Sequence, residues 1–347
     1  MKVAICRNSK AIIHSTSWVF PWEEFCKDNM IDYELIDLLH CNAIVELQRF
    51  DVLLWHFEQY RYAEMMEARS ILYSAKSMGL KVFPDFNDAW HFDDKIAETY
   101  ILQAIGAPLP DSKIYYDNES VKKDLDTDMI KFPIVGKLRS GSGSHNVKLL
   151  KTKNDLIKYS SKMFSQGYNP SPSLLYKATS NIRSSHSLQQ FVSRFKRIPE
   201  FLRNLSGAKQ FPNEKNYVYL QQFVPNDGYD MKVVVVGDKC TFLVRPVRTN
   251  DFRASGGGEI FFDKRYFKKQ IIENAFKISD LLGAKCMGYD FVVNNETGEG
   301  VIIEMSYGFS YQAIMIPNGY YDRSLQWHEE PLNAPYEIIK QIINNGI

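Results

Sequence analysis

Two carboxylates interrupt otherwise apolar runs near the C-terminal end of the chain. Asp290 lies in Gly288-Tyr-Asp-Phe-Val-Val293, and Glu304 lies in Val301-Ile-Ile-Glu-Met305. Runs of this length and composition read as buried strands, and the polar stretch Asn294 to Glu299 reads as the turn that pairs them. A carboxylate taken out of water is costly unless a cation or a metal compensates it. The fold must therefore bring positive charge to both acids. Two readings satisfy that demand. The pair can offer hard oxygens to a divalent ion such as Mg²⁺ or Mn²⁺, with Ser306 adding a third oxygen directly or through water. Alternatively, the acids are salt-bridged or exposed at a sheet edge, with no metal.

Strand-like and helix-like stretches alternate along the first quarter of the chain. Lys2 to Cys6 and Asp51 to His56 are apolar bursts. Tyr60 to Met78 carries helix formers at helical spacing up to Gly79, and Leu80 to Phe83 is a short strand stopped by Pro84. This alternation predicts a small parallel α/β domain over residues 1–88. It contains no Gly-x-Gly-x-x-Gly turn, so a dinucleotide site there is unsupported. Beyond it, helices are expected over Asp88 to Ile105, Phe267 to Leu282 and Pro335 to Ile343. Strands are expected over Phe132 to Leu138, Val147 to Leu150, Tyr217 to Val224, Met231 to Val236 and Cys240 to Val247, with Gly237-Asp238 as a hairpin turn.

Two further groups of residues carry chemistry. Lys137 ends the strand-like Phe132-Pro-Ile-Val-Gly-Lys137, and the loop Ser140-Gly-Ser-Gly-Ser144 follows. A compact ammonium beside glycines that let backbone N–H groups approach anionic oxygens can hold a polyphosphate. The lysine precedes the glycines, so this is not the Walker loop, and an ordinary surface turn has the same composition. Arg245, Arg248 and Arg253 flank a stretch that ends in Gly256-Gly-Gly258. That stretch reads either as a lid neutralising a transferring phosphoryl group or as a plain loop.

These groups, taken in order, resemble the ATP-grasp superfamily. Asp94-Lys95 followed by Gly106-Ala-Pro-Leu-Pro110 resembles its opening. Phe132 to Val147 resembles its lysine strand and glycine loop, and Tyr219 to Val224 its hinge strand. Asp230-Met-Lys232 resembles the hinge strand's continuation. Asp251-Phe-Arg253 resembles the lid of the glutathione synthetase and ribosomal-protein glutamate ligase branch, and Asp290 with Glu304-x-Ser306 the metal strands.

The resemblance implies an α/β, α+β ATP-grasp fold. In it, a Rossmann-like domain (1–88) precedes a central subdomain (89–220) and a C-terminal subdomain (221–347). It implies an ATP-dependent carboxylate–amine ligase. Lys95 and Lys137 would contact phosphates, and Ser142, Gly143 and Ser144 would cover them. Gln221, Gln222, Phe223 and Val224 would meet the adenine, with Asp230 and Lys232 near the ribose side. Asp290, Glu304 and Ser306 would hold Mg²⁺, and Arg245 and Arg253 would steady an acyl phosphate. Gln222, Lys232 and Ser306 depart from the acid, arginine and asparagine usual at those positions. The stretches Glu304 to Phe309 and Leu325 to Glu329 resemble members found with bacterial surface-polysaccharide genes. That likeness implies a saccharide or small-molecule acid and an amine as substrates. His56, Arg61 and His91 are candidates for the substrate side, and each also fits a purely structural role.

Composition narrows the alternatives. A formal charge of +1 gives no reason to expect nucleic acid as a partner. Five widely spaced cysteines suit neither a zinc cluster nor a disulfide framework, and with the absence of any long apolar run they point to the cytoplasm. The segment Ser160 to Lys215 is strongly basic. Lys177, Arg183, Arg194, Lys196, Arg197, Arg203 and Lys209 face only Glu200 and Glu214. It reads as a solvated helical insertion or as a docking surface for an anionic substrate or acceptor. A ligase that modifies a protein tail, or a nucleotide-binding module without turnover, would share most of these features. A homodimer is the expectation from similar proteins.

Overall fold

The computed structural model describes residues 1–7, 17–141, 143–144, 146–170, 211–247, 251–254 and 259–344. The chain opens with β1 (Lys2–Cys6), α1 (Val19–Asp28), β2 (Asp32–Ile36), α2 (Ala43–Leu47), β3 (Val52–Leu54), α3 (Tyr62–Ser77), β4 (Lys81–Phe83) and the short α4 (Phe86–Ala89). The four strands form a wholly parallel sheet in the order β2-β1-β3-β4. Parallel pairing requires crossovers, and the helices supply them while covering the sheet. In α3 the buried Ala68, Leu72 and Ala75 recur at helical spacing. Gly79, at φ +96°, ends that helix in a conformation that a side chain would disfavour.

The helix expected over Asp88 to Ile105 is in fact two pieces. Asp93 adopts a left-handed φ of 54°, and Asp94 caps a new helix by accepting from the Ala97 N–H at 3.0 Å. The second piece is therefore α5 (Lys95–Ala104). Asp88 is buried in the first piece, α4. Its carboxylate accepts the backbone N–H groups of Lys285 and Cys286 at 2.8 and 3.1 Å, fastening this segment to a distant strand.

A second layer holds β5 (Ser112–Tyr115), α6 (Asn118–Asp126), β6 (Ile134–Lys137), β7 (Lys148–Leu150), α7 (Lys153–Met163) and β8 (Val218–Gln222). Its antiparallel sheet runs β5-β8-β6-β7. One face packs Ile134, Leu150 and Leu220 against Val121 and Leu125 of α6 and Leu156 and Met163 of α7.

The third part holds β9 (Tyr229–Val236), β10 (Lys239–Pro246), α8 (Lys269–Leu282), β11 (Cys286–Val293), β12 (Gly300–Ser306), α9 (Tyr311–Ile314), β13 (Tyr320–Tyr321), β14 (Trp327–His328) and α10 (Ala334–Asn344). Its six-stranded sheet runs β12-β11-β9-β10-β13-β14. Gly237, at φ +58°, makes the tight β9–β10 turn that the sequence predicts. The expected mixed architecture, a parallel α/β unit followed by α+β layers, is the one observed.

The outer strand of this sheet, β12, is covered by the second layer. The Ile302 N–H donates to Pro108 O at 2.8 Å and the Met305 N–H to Glu98 Oε2 at 3.1 Å. Lys137 Nζ donates to Ile303 O at 2.8 Å. An open strand edge invites foreign pairing, and these bonds occupy it.

The parallel sheet and the six-stranded sheet share one hydrophobic core, whereas the middle layer has its own. At the shared junction Trp18 is fully buried, stacks on His56 with ring centroids 4.6 Å apart, and donates its indole N–H to Phe309 O at 3.3 Å. Trp22 donates to Pro335 O at 3.0 Å, joining α1 to α10. Removing so large a buried ring leaves a cavity. We expect Trp18→Ala to destabilise the chain by roughly 3–5 kcal/mol, measured by urea denaturation.

Candidate active site

The two embedded acids are direct neighbours. In the antiparallel β11–β12 pair Asp290 stands opposite Glu304, and the register slips by one residue immediately after Asp290. The strand β9 places Lys232 opposite Asp290 on the other side, and β10 places Arg245 opposite Asp230. Side chains at paired positions share one face of the sheet, so this pairing alone gathers Asp230, Lys232, Arg245, Asp290 and Glu304.

Charge compensation follows. Arg245 grips Asp230 through Nε and Nη2 at 2.6 and 2.8 Å, and its Nη2 also lies 2.7 Å from Asp290 Oδ2. Lys232 Nζ lies 2.6 Å from Asp290 Oδ1, so each carboxylate oxygen faces a cation. Burial alone would push the Asp290 carboxyl up. Arg245 and Lys232 together overcome that and hold it well below the usual carboxylate range. Asp230, with one cation shared, is pushed up to about 6 by its burial, which Arg245 only partly opposes.

Glu304 is more open, with its side chain 32 % exposed, and meets Lys95 Nζ at 3.1 Å. Lys95 also donates to Gly141 O at 2.7 Å. Lys137 ends β6 with its ammonium directed at β12. Burial pulls that ammonium down to about 8, with Glu304 offsetting part of the effect. Asp93 accepts from the Gly141 N–H at 2.9 Å, and burial pushes its carboxyl up to about 6.

These groups open onto a cleft between the middle sheet and the six-stranded sheet. Of the residues singled out in the sequence, Lys137, Ser144, Gln221, Gln222, Phe223, Val224, Asp230, Arg253, Asp290 and Glu304 line it. Lys95, Lys232 and Arg245 stand behind the acids rather than in the wall. Ser306 points its hydroxyl into a local turn, where it accepts from the Gly308 N–H at 3.0 Å. Ser142, Arg248 and Gly256 to Gly258 lie outside the described residues, as does 171–210 of the basic segment.

His56, Arg61 and His91 do not line this cleft. Arg61 pairs with Glu64 at 2.8 Å and Glu58 at 3.4 Å. Burial lowers His91 to about 4 and His56 to about 3.

Several lining residues were not read from the sequence. Val135, Val292 and Ile303 give the cleft apolar walls. Phe252 packs edge-on against Phe223, with centroids 6.3 Å apart. Its signal was its place inside the Asp251–Arg253 lid. Arg253 is held by Asp251, and its Nη1 donates to Ser144 O at 3.0 Å, so the lid reaches across the cleft to the glycine loop.

Among the described residues no three His, Cys, Asp or Glu side chains form a metal cage. The site nevertheless suits Mg²⁺, which is commonly bound by one or two carboxylates together with phosphate oxygens and water. Asp290 and Glu304 are in register, both line the cleft, and Glu304 keeps a third of its side chain open to it.

Comparison with known proteins supports the fold. No family model matches the chain, and no curated protein matches it. Solved structures do. A D-alanine–D-alanine ligase from Bacillus anthracis is 13% identical with a TM-score of 0.59, covering 99% of this chain and 96% of its own. An ATP-grasp RimK domain protein from Sphaerobacter thermophilus is 14% identical with a TM-score of 0.51, covering 89% and 92%. The macrocyclase MdnC of Microcystis aeruginosa, bound to its precursor peptide MdnA, is 12% identical with a TM-score of 0.54, covering 99% and 100%. The chain has the ATP-grasp fold.

Replacing Asp290 by Asn leaves the half-buried Lys232 without its counter-charge and the buried Arg245 with only one of its two. We expect a loss of about 3 kcal/mol or more in urea denaturation. Glu304→Ala removes the ion-pair partner of the buried Lys95, which keeps its bond to Gly141 O, and should cost about 1–3 kcal/mol.

Proposed function

We propose that the protein is an ATP-dependent carboxylate–amine ligase that works through an acyl phosphate. The observation that carries this reading is the pairing of Asp290 with Glu304 in a cleft that Lys137 also lines. The apolar walls suit an adenine ring, and the backbone of Phe223 and Val224, just past the β8 ladder that holds Gln221 and Gln222, can offer its edge hydrogen bonds. When bound, Mg²⁺ held by Asp290 and Glu304 would neutralise phosphate charge.

The chemistry follows from what a carboxylate lacks, a competent leaving group. A carboxylate oxygen attacks the γ-phosphorus of ATP, the bond to the bridging oxygen breaks, and ADP departs. The amine nitrogen then attacks the acyl carbon, phosphate leaves with the electron pair of the C–O bond, and the amine loses a proton. Lys137 supplies fixed positive charge to the transferring group. Arg253 can do the same from the lid, and its bond to Ser144 O helps keep water from the acyl phosphate. Lys95 orients Glu304, and Lys232 with Arg245 hold Asp290 ionised.

The finer assignment is amidation of a sugar acid, or conjugation of an amino acid, in surface-polysaccharide biosynthesis in the cytoplasm, by a homodimer. It rests on the likeness of the Glu304 to Phe309 and Leu325 to Glu329 stretches. A peptide acceptor is the second reading, favoured by the end-to-end match to a macrocyclase that binds a precursor peptide.

ADP release should depend on the joint presence of one acid and one amine. Glu304→Ala should lower turnover at least ~100-fold while Mg-ATP binding persists in weakened form. Tight ATP binding with no ADP from any pair would instead identify a nucleotide-binding module. A pH dependence is also expected. Lys137 is charged below about 8, and bound triphosphate favours that form. ATP affinity, measured by calorimetry, should be flat below that pH and fall by about tenfold per unit above it, with the slope removed in Lys137→Met.

A further inference from the structure

The first half of the glycine loop is held by a carboxylate that lies outside the cleft wall. Glu214 Oε2 accepts the Arg139 N–H at 2.9 Å, a donor that Tyr217 Oη shares at 2.7 Å, and Oε1 accepts the Ser140 N–H at 3.1 Å. The Ser140 hydroxyl and the Tyr217 phenol donate to the same carboxylate. Asp93 takes the next amide, that of Gly141. Three consecutive backbone N–H groups of a loop suited to phosphate are thus already bonded to protein carboxylates. Gly141, at φ +107°, and Gly143, at φ +63°, follow this fixed half. The far half is tied instead to Arg253 through Ser144 O.

Glu214 is itself rigidly placed. Its backbone exchanges two hydrogen bonds with Tyr168, at 3.0 and 2.9 Å. Asn213 Nδ2 donates to Gln166 O at 3.1 Å, and Asn169 Nδ2 to Phe211 O at 2.9 Å. Gly167 makes this clasp close. A Cβ there would stand 2.1 Å from Glu214 O, at a φ of +68°.

A negative group among the amides of a phosphate loop is unfavourable for a polyanion unless it does something else for the loop. Here both of its oxygens are filled by donors, so its charge is spent on the loop backbone. We propose that Glu214 is a positioning residue for ATP. It pins residues 139 and 140 so that the start of the loop already holds its place when the phosphates arrive. This rests on the nucleotide reading of the cleft given above.

The test uses the full chain. In Glu214→Ala, amide hydrogen exchange of a peptide spanning residues 137–141 should rise at least tenfold without nucleotide, while peptides from α8 and α10 keep their protection. The Kd for Mg-ATP should rise at least tenfold. Glu214→Gln keeps the size but turns one acceptor into a donor, and should fall between Ala and the unaltered chain on both measures. Gly167→Ala displaces Glu214 without removing any loop partner and should shift both in the same direction. Ser140→Ala, which keeps both amide bonds, should change each by less than threefold. Unchanged exchange in Glu214→Ala overturns the proposal, as does raised exchange with ATP affinity within twofold. A loss of protection throughout the chain in both Glu214 variants also overturns it, since a merely structural residue would behave so. The exchange arm needs no ATP and reads the anchor by itself. Failure of the unaltered chain to bind Mg-ATP would sink the ligase reading, and with it this role, even where the anchor is present.

Discussion

Asp290 depends on two cations, and much of the architecture serves to deliver them. Its carboxylate sits on a central strand between an arginine from β10 and a lysine from β9, inside a sheet otherwise built of Val, Phe, Tyr and Met. Neither cation could arrive from solvent at that depth. They come from flanking strands whose register is set by the Gly237 hairpin on one side and the β11–β12 pairing on the other. A slip of one residue would turn every one of these charges into the opposite face. The apolar content of the strands and the charged row they carry are therefore one requirement, since the first enforces the register that makes the second affordable.

The second layer completes the arrangement by covering β12. Glu98, Lys137 and Pro108 each bond to that strand's backbone, so the element carrying Lys137 and the element carrying Glu304 are held in a fixed relation. Burial draws Lys137 down and Glu304 partly restores it, a balance that leaves the ammonium responsive to an arriving anion. The cleft is consequently polar at one end, where carboxylates and lysine meet, and apolar along its walls.

Much of this was readable in the residues. Asp290 and Glu304 stood out because acids inside greasy runs demand partners, and Gly237-Asp238 stood out because it separates two strand-like apolar runs. The helix through Asp88 was misread because its composition is helical throughout. The break comes from Asp93 taking a left-handed conformation to reach Gly141, a bond across 48 positions that no local pattern encodes. Glu214 was visible only as one of two acids in a basic stretch, and its partners are brought to it by the pairing of Tyr168 with its backbone. The pocket walls were legible as strand residues but not as walls, because alternation says which side chains share a face and not what that face opposes.

The distribution of the core has a mechanical consequence. The parallel sheet and the six-stranded sheet are welded through Trp18, Trp22, Phe83, Tyr307 and Phe309, whereas the middle layer closes its apolar interior on itself. Such a molecule has one heavy jaw and one light one. The light jaw is joined to the heavy one by polar catches, the bonds to β12 and the Arg253 contact with Ser144 O, more than by shared apolar interior.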